Sequence, residues 1–400
     1  AKSDHGELDH LEVGDVKLED AVRVVPPLQG SIEGDGSVDG MQRFWASDHA
    51  LFVTVIDGGP EEILKFDQHG KSEGKVPVPS VASVSRLVPL TGDAFLYRAQ
   101  TYTQPGQWFR YNGTGEAVAL PFKTQTNISL ADIEVRREFA TSKDGTKVPM
   151  TIMLRKGTKL DGTNPTRVYG YGGFDISESP HFLGSTGRLW FDYGGIYVDT
   201  NLRGGSEYGE SWHHAGSLLN KQNVFDDFAA CAQYLIDTKY TSAQHLAIEG
   251  GSNGGLLMGA ELTQHPQMFR AVLSEVGVYD MLRMELDPNG SFNTTELGTA
   301  KDPAQFKAMY AYSPYHHVKA GEKYPAILFV TGDNDHRVNP AHSRKMTAAL
   351  QAASTSDLPV MLRTNSNAGH GVSTDKDEAL EEIADMFSFL FAQLGMQATH

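Results

Sequence analysis

The stretch Leu246-Ala-Ile-Glu-Gly-Gly-Ser-Asn-Gly-Gly-Leu-Leu-Met-Gly-Ala260 constrains the fold of this chain more than any other. Its apolar run Leu246–Ile248 reads as a short buried strand, and Gly254–Thr263 reads as a helix. Between them stands Gly250-x-Ser252-x-Gly254, the pattern of a nucleophile elbow. A strand that turns sharply into a helix forces the middle residue into a strained backbone conformation, so its neighbours must be small. The serine hydroxyl is then thrust into the open at the positive end of a helix dipole. The competing reading is a Gly-rich loop with an ordinary helix-capping serine. A strand before the motif and a helix after it favour the elbow.

An elbow of this kind needs a large sheet behind it, and 400 residues suffice for two or three domains with sizeable cores. The net charge of −16 and a pI of about 5.3 argue against nucleic acid or an anionic membrane surface as partner. No apolar run approaches the roughly 18 residues that a membrane span requires. A single cysteine, Cys231, excludes an internal disulfide and lies in an apolar helical pattern, where it reads as a buried small hydrophobe. One cysteine fits a reducing compartment, which favours the cytoplasm and leaves periplasm or secretion open. The chain begins Ala1-Lys2, with no signal-peptide pattern, as a processed protein or a piece of a longer one would.

Taken in order, the chain divides into three regions. Residues 1–20 are polar, carry charges of both signs and predict an irregular start. Residues 21–121 show short strands separated by turn residues, such as 51–56, 62–66, 84–88, 94–99 and 107–111. This is the spacing of antiparallel meanders, about two four-stranded units, as in propeller blades or a sandwich. From residue 122 a hairpin (133–140 and 148–154) leads into alternating strands and helices. Strands are expected near 167–171, 195–200, 246–248, 269–274, 326–331 and 359–363. Helices are expected near 224–237, 254–263, 303–312, 340–353 and 376–394. The alternation predicts an α/β fold for residues 122–400, a mostly parallel sheet flanked by helices with ligands at the carboxyl ends of its strands.

A nucleophilic serine needs a base, and the base needs a carboxylate to orient it. In the α/β-hydrolase arrangement they follow in the order Ser, Asp, His, each just beyond a strand end. Strand 326–331 runs into Gly332-Asp-Asn-Asp-His-Arg337, which offers both Asp333 and Asp335 as the acid. Strand 359–363 runs into a loop ending Gly369-His370-Gly371, whose glycines allow an exposed histidine. Of the 15 histidines, His336 and His342 are its nearest rivals, but both accompany the acid loop. One oxyanion donor should be the backbone N–H of Asn253, and the second should come from the loop Val168-Tyr-Gly-Tyr-Gly-Gly-Phe174, where Tyr171 offers a phenol. The pairs His213-His214 and His316-His317 lack an adjacent carboxylate pattern for zinc, so a surface or packing role is expected for them. No metal or organic cofactor is implied.

The chain resembles the prolyl oligopeptidase family of serine peptidases. The blocks that carry the resemblance are 142–150, 169–174, 201–209, 221–227, 250–255, 276–282, 333–338 and 368–371. They span roughly residues 132–395 in one order, and residues 21–121 are similar to the last blades of that family's propeller. The resemblance implies Ser252 as nucleophile, Asp335 as acid and His370 as base. It implies that Tyr171 and the Asn253 N–H form the oxyanion hole and that Arg337 binds a substrate carbonyl. It implies that Phe174, Val278 and Val338 help line the pocket for the residue before the cut, and that the substrates are short peptides.

Two departures stand out. Where the family stacks proline on a tryptophan, this chain has Asn293, with Phe292 beside it, and a pocket tyrosine is replaced by Leu297. Most of the propeller and the first hydrolase segment have no counterpart here. The expected activity is therefore hydrolysis of internal bonds of short peptides, with preference for proline open. The alternatives are another hydrolase on the same triad (aminopeptidase, acyl-peptidase or esterase) and a non-catalytic binding protein. Nothing in the sequence bears on oligomeric state.

Overall fold

The structure is a computed structural model that describes residues 4–10, 21–28, 30–32 and 43–397. Its contacts separate two compact units. One runs up to Val135 and takes in Ser177–Arg188 and Ser206–Trp212; the other comprises Arg136–Ile176, Leu189–Gly205 and the chain from His213 onward.

The first unit is antiparallel. Strands β1 (Leu8–His10) and β2 (Val22–Val25) pair with each other. β3 (Phe44–Ala46), β4 (Ala50–Ile56), β5 (Glu61–Asp67) and β6 (Ser72–Val76) form one four-stranded meander. β7 (Ala82–Pro89), β8 (Phe95–Thr101), β9 (Gln107–Tyr111) and β10 (Val118–Lys123) form a second. Alternation along β8 buries Phe95, Tyr97 and Ala99 on one side. Phe95 meets Phe52 of β4 at a centroid distance of 4.8 Å. The irregular start expected for residues 1–20 lies mostly outside the described residues. Within it, Leu8–His10 is a strand, because its backbone finds a ladder partner in β2 that no local pattern announces.

The second unit is built on an eight-stranded sheet of order β11-β12-β14-β13-β15-β16-β17-β18. The strands are β11 (Ile133–Thr141), β12 (Lys147–Arg155), β13 (Thr166–Tyr169), β14 (Ile196–Thr200), β15 (Leu246–Gly251), β16 (Ala271–Glu275), β17 (Ala326–Gly332) and β18 (Val360–Asn365). β12 runs antiparallel to β14, and every pairing from β14 to β18 is parallel. Parallel strands covered on both faces need continuous apolar runs, and β14 and β17 are buried at every position. The α-helices among the described residues are α1 (Gly184–Asp192) and α2 (Glu210–His214), each divided between the two units, and, within the second unit, α3 (Gln222–Asp237), α4 (Asn253–Gln264), α5 (Thr294–Leu297), α6 (Pro303–Tyr312), α7 (Ala341–Ala353) and α8 (Lys376–Leu394). α8 starts where the Asp375 side chain accepts from the N–H groups of Asp377 and Glu378, and it ends at Gly395 in the left-handed conformation.

An ionic knot ties three distant segments beside this sheet. The buried guanidinium of Arg203 donates to Asp227 through Nε at 2.8 Å and Nη2 at 2.5 Å, and to Asp144 through Nη1 at 2.5 Å. A planar fork facing two carboxylates holds the hairpin turn, the loop after β14 and helix α3 in one orientation. The carboxyl ends of β13, β15, β17 and β18 then open on one edge of the sheet, which is where this arrangement of strands leaves a crevice.

Candidate active site

Ser252 sits between β15 and α4 with φ +59° and ψ −112°, a conformation that L residues adopt only under constraint. The constraint is visible. Its N–H donates to the carbonyl of Glu275 on the neighbouring strand at 2.8 Å, and Leu256 N–H donates back to the Ser252 carbonyl at 3.1 Å. A Cβ added at Gly250 would lie 2.6 Å from the Gly254 carbonyl oxygen and 2.8 Å from that of Gly170, so the turn has no room for a side chain there.

The hydroxyl so exposed meets the histidine loop. Ser252 Oγ lies 2.9 Å from His370 Nε2, and His370 Nδ1 lies 2.7 Å from Asp335 Oδ2. A carboxylate only accepts, so Nδ1 carries the proton and Nε2 is free to receive the serine proton. The other Asp335 oxygen accepts from the backbone N–H groups of Arg337 and Val338, both at 2.9 Å. Asp335 is buried, whereas Asp333 is exposed and pairs with Arg344 at 2.7 Å. Of the two acids left open by the local pattern, the geometry joins Asp335 to the histidine. Of the two rival histidines, one is exposed and the other is engaged elsewhere. His336 is exposed. His342 is buried, its Nδ1 accepting from Asp280 N–H at 3.1 Å while Nε2 donates to Asp287 at 3.1 Å.

A cavity of about 220 Å³ opens at Ser252 and Asn253. It is lined by Tyr171, Phe174, Val278, Phe292, Asn293, Arg337 and Val338, and by Ile176, Leu256 and Leu297. The volume lies below the roughly 300 Å³ at which drug-sized ligands begin to fit, a size suited to one side chain. Val278, Leu297 and Val338 form its buried apolar wall. The Phe174 and Phe292 rings are 6.3 Å apart and within 6° of parallel, although Phe292 is 68% exposed. Asn253 Nδ2 donates to the Tyr171 carbonyl at 2.5 Å and anchors the loop of the candidate oxyanion tyrosine to the elbow.

Side-chain hydrogen bonds lace the segment carrying Phe292 and Asn293 to the acid loop. Asn339 donates to Asp287 at 2.9 Å, His342 reaches the same carboxylate, and Asn289 donates to the His336 carbonyl. Behind the elbow, Glu275 shares the register position of Gly251 on the adjacent strand. Burial pushes its carboxyl up to about 8; Glu249 and Glu382 add to this, and Arg167 opposes it. Arg167 pairs with Glu249 at 2.9 Å and lies over the rings of Tyr197, Trp190 and Phe387.

Two features escaped the reading of the sequence. His213, for which the sequence suggests only a surface or packing role, has its Nε2 2.7 Å from Glu296. The two residues are 83 positions apart, beyond any local pattern. The acidic group behind the elbow was equally hidden, since Glu249, Glu275 and Glu382 come from three separate elements. Among the described residues, no group of three or more His, Cys, Asp or Glu side chains is placed to hold a metal ion. None of their helices is long and apolar enough to cross a membrane.

The sequence profile of the prolyl oligopeptidase family matches residues 180–397, more than half of this chain. A prolyl endopeptidase of Elizabethkingia meningoseptica is 38% identical over 350 residues, which is 87% of this chain and 50% of that protein. A prolyl endopeptidase of Dictyostelium discoideum is 35% identical over 398 residues, 96% of this chain and 52% of that protein. A solved structure from a study of two prolyl endopeptidases matches with a TM-score of 0.87 at 37% identity, covering 99% of this chain and 57% of the other. Prolyl oligopeptidase B of Galerina marginata, solved with a 35mer hydrolysis and macrocyclization substrate, matches at 0.83 and 29% identity, with 95% and 53% covered. The chain spans about half the length of the curated relatives it matches.

Proposed function

The chain belongs to the prolyl oligopeptidase family, and on that premise we propose that it is a serine peptidase hydrolysing internal bonds of short peptides on the carboxyl side of proline. The observation that carries this reading is the unbroken run of hydrogen bonds from Ser252 through His370 to Asp335 at the mouth of an apolar cavity.

The chemistry follows from the geometry. Ser252 Oγ attacks the carbonyl carbon of the scissile bond while His370 Nε2 takes its proton. Asp335 holds the imidazole in the tautomer that makes this possible and stabilises the imidazolium that forms. The oxygen of the tetrahedral intermediate receives the Asn253 N–H at the start of α4 and the Tyr171 phenol, each donor contributing about 3–4 kcal/mol. Collapse breaks the C–N bond, and His370 hands its proton to the leaving amine. Water, deprotonated by the same histidine, then hydrolyses the acyl-enzyme.

Phe174, Val278 and Val338 take the ring of the residue before the cut. Phe292 covers the open side, where Asn293 stands in place of the family's tryptophan, and Arg337 donates to a neighbouring substrate carbonyl. A second reading, cleavage without preference for proline, draws on the exposure of Phe292 and the polarity of Asn293. The test is cleavage of two short blocked peptides that differ only in Pro or Ala before the scissile bond, by the wild type and by Ser252→Ala. Serine-dependent preference for Pro is expected. Equal rates would support the second reading, and no cleavage by a folded sample would remove both.

A further inference from the structure

Lys221 is completely buried, which is rare for a lysine unless it is paired. Its Nζ donates to the Gly172 carbonyl at 2.9 Å and to Glu296 Oε1 at 3.2 Å. The other Glu296 oxygen lies 2.7 Å from His213 Nε2, and the Phe174 N–H also donates to this carboxylate. A Cβ at Gly173 would fall 2.7 Å from Lys221 Nζ and 2.6 Å from Asn253 Nδ2, so the loop is clasped between these two side chains. Glu296 therefore joins two segments that face each other across the cavity. Tyr171 and Phe174 flank its partners on one side, and Asn293 and Leu297 flank it on the other.

A buried ion pair contributes little net stability compared with apolar residues of the same shape, but it imposes direction on every group it binds. The hydrogen bond to Glu296 raises His213 above its usual value, against the opposing effect of burial. Burial works to raise Glu296, yet the His213 hydrogen bond and the Lys221 charge bring it below its usual value, so the carboxylate stays ionised.

We propose that Lys221, Glu296 and His213 form a positioning network that sets the Tyr171–Phe174 loop against the Asn293–Leu297 segment, and so holds the oxyanion donors in register with the specificity pocket. The inference rests on the serine peptidase reading above. It adds that the pocket segment and the oxyanion loop act as one coupled unit, linked through Glu296.

The test is a double-mutant cycle on the full chain between Glu296→Gln, which keeps the shape of the side chain, and Tyr171→Phe. The readouts are kcat and KM on the blocked Pro peptide, the rate at which a fluorophosphonate modifies Ser252, and the unfolding midpoint. Expected is a loss in kcat of about 10-fold for Glu296→Gln, with KM moving less. The two substitutions together should fall short of the product of their separate losses by about 5-fold. The fluorophosphonate rate should drop alongside kcat. Independent losses, or an unchanged kcat in a folded Glu296→Gln protein, would overturn the proposal. Should Glu296→Gln not fold, His213→Gln, at a position 20% exposed, is read the same way. A wild type that reacts with the fluorophosphonate but cleaves neither peptide would sink the peptidase reading alone, and the fluorophosphonate cycle would still decide the network.

Discussion

Phe174 and Phe292 face each other with ring centroids 6.3 Å apart and planes within 6° of parallel. One ring comes from the loop after β13, and the other from the segment that also carries Asn293. An aromatic pair is worth about 0.5–1.5 kcal/mol beyond the area it buries. Phe292→Ala should therefore lower the Pro-over-Ala ratio of kcat/KM by about 3- to 10-fold. The rate on the Ala peptide should change little. Matched kinetics on the two blocked peptides decide it, and a ratio that does not move would remove Phe292 from the pocket.

The acid of the triad is tested by Asp335→Asn. The amide cannot hold His370 with its proton on Nδ1, so kcat should fall by about 10⁴-fold. The unfolding midpoint should shift by only a few degrees. Asp333→Asn, on an exposed side chain paired with Arg344, should leave kcat within about 2-fold. A reversal of these two results would reassign the acid.

Glu275 should make stability depend on pH. Its folded value of about 8 lies above the ordinary 4.5, so the native state holds a proton that the unfolded state has lost between those values. The sign is thus a loss of stability as pH rises from about 4.5 to about 8, with a slope of up to about 1.4 kcal/mol per pH unit. Glu275→Gln should flatten this slope. It should be more stable than the wild type at pH 8 and similar to it at pH 5, as read by urea unfolding. Parallel curves across that range would contradict the assignment.

Gly250 tests the sterics of the elbow. Gly250→Ala places a methyl group against two carbonyl oxygens at under 3 Å. It should cost about 2–4 kcal/mol of stability. Activity should fall with it, because Ser252 cannot keep its φ of +59° once the turn opens. Thermal unfolding together with fluorophosphonate reactivity measures both effects.

Much of the architecture is local and could be read directly. The elbow declared itself because strand, small residues and helix follow one another within 20 positions. The buried strands of the second unit stood out as unbroken apolar runs, and α8 through its 19-residue amphipathic pattern. Helix α1 did not, since Gly184 and Gly187 dilute any helical signal in it. The short strands β1, β3 and β10 escaped too, as their ladder partners lie elsewhere in the chain.

What the sequence by itself determined is the main strands and helices of the second unit, their order and the loops that carry Ser252, Asp335 and His370. Backbone propensity, hydrophobic period and turn chemistry all act over a few residues, so they leave their mark on short stretches. The family blocks already pointed to Asp335, which the local pattern left open beside Asp333; the tertiary structure adds the 2.7 Å contact from Asp335 to His370 and alone joins Lys221 to His213 through Glu296. It alone brought three glutamates together behind the elbow. Those pairings depend on which strands become neighbours and on how much water is excluded between them. Neither quantity exists until the sheet has formed.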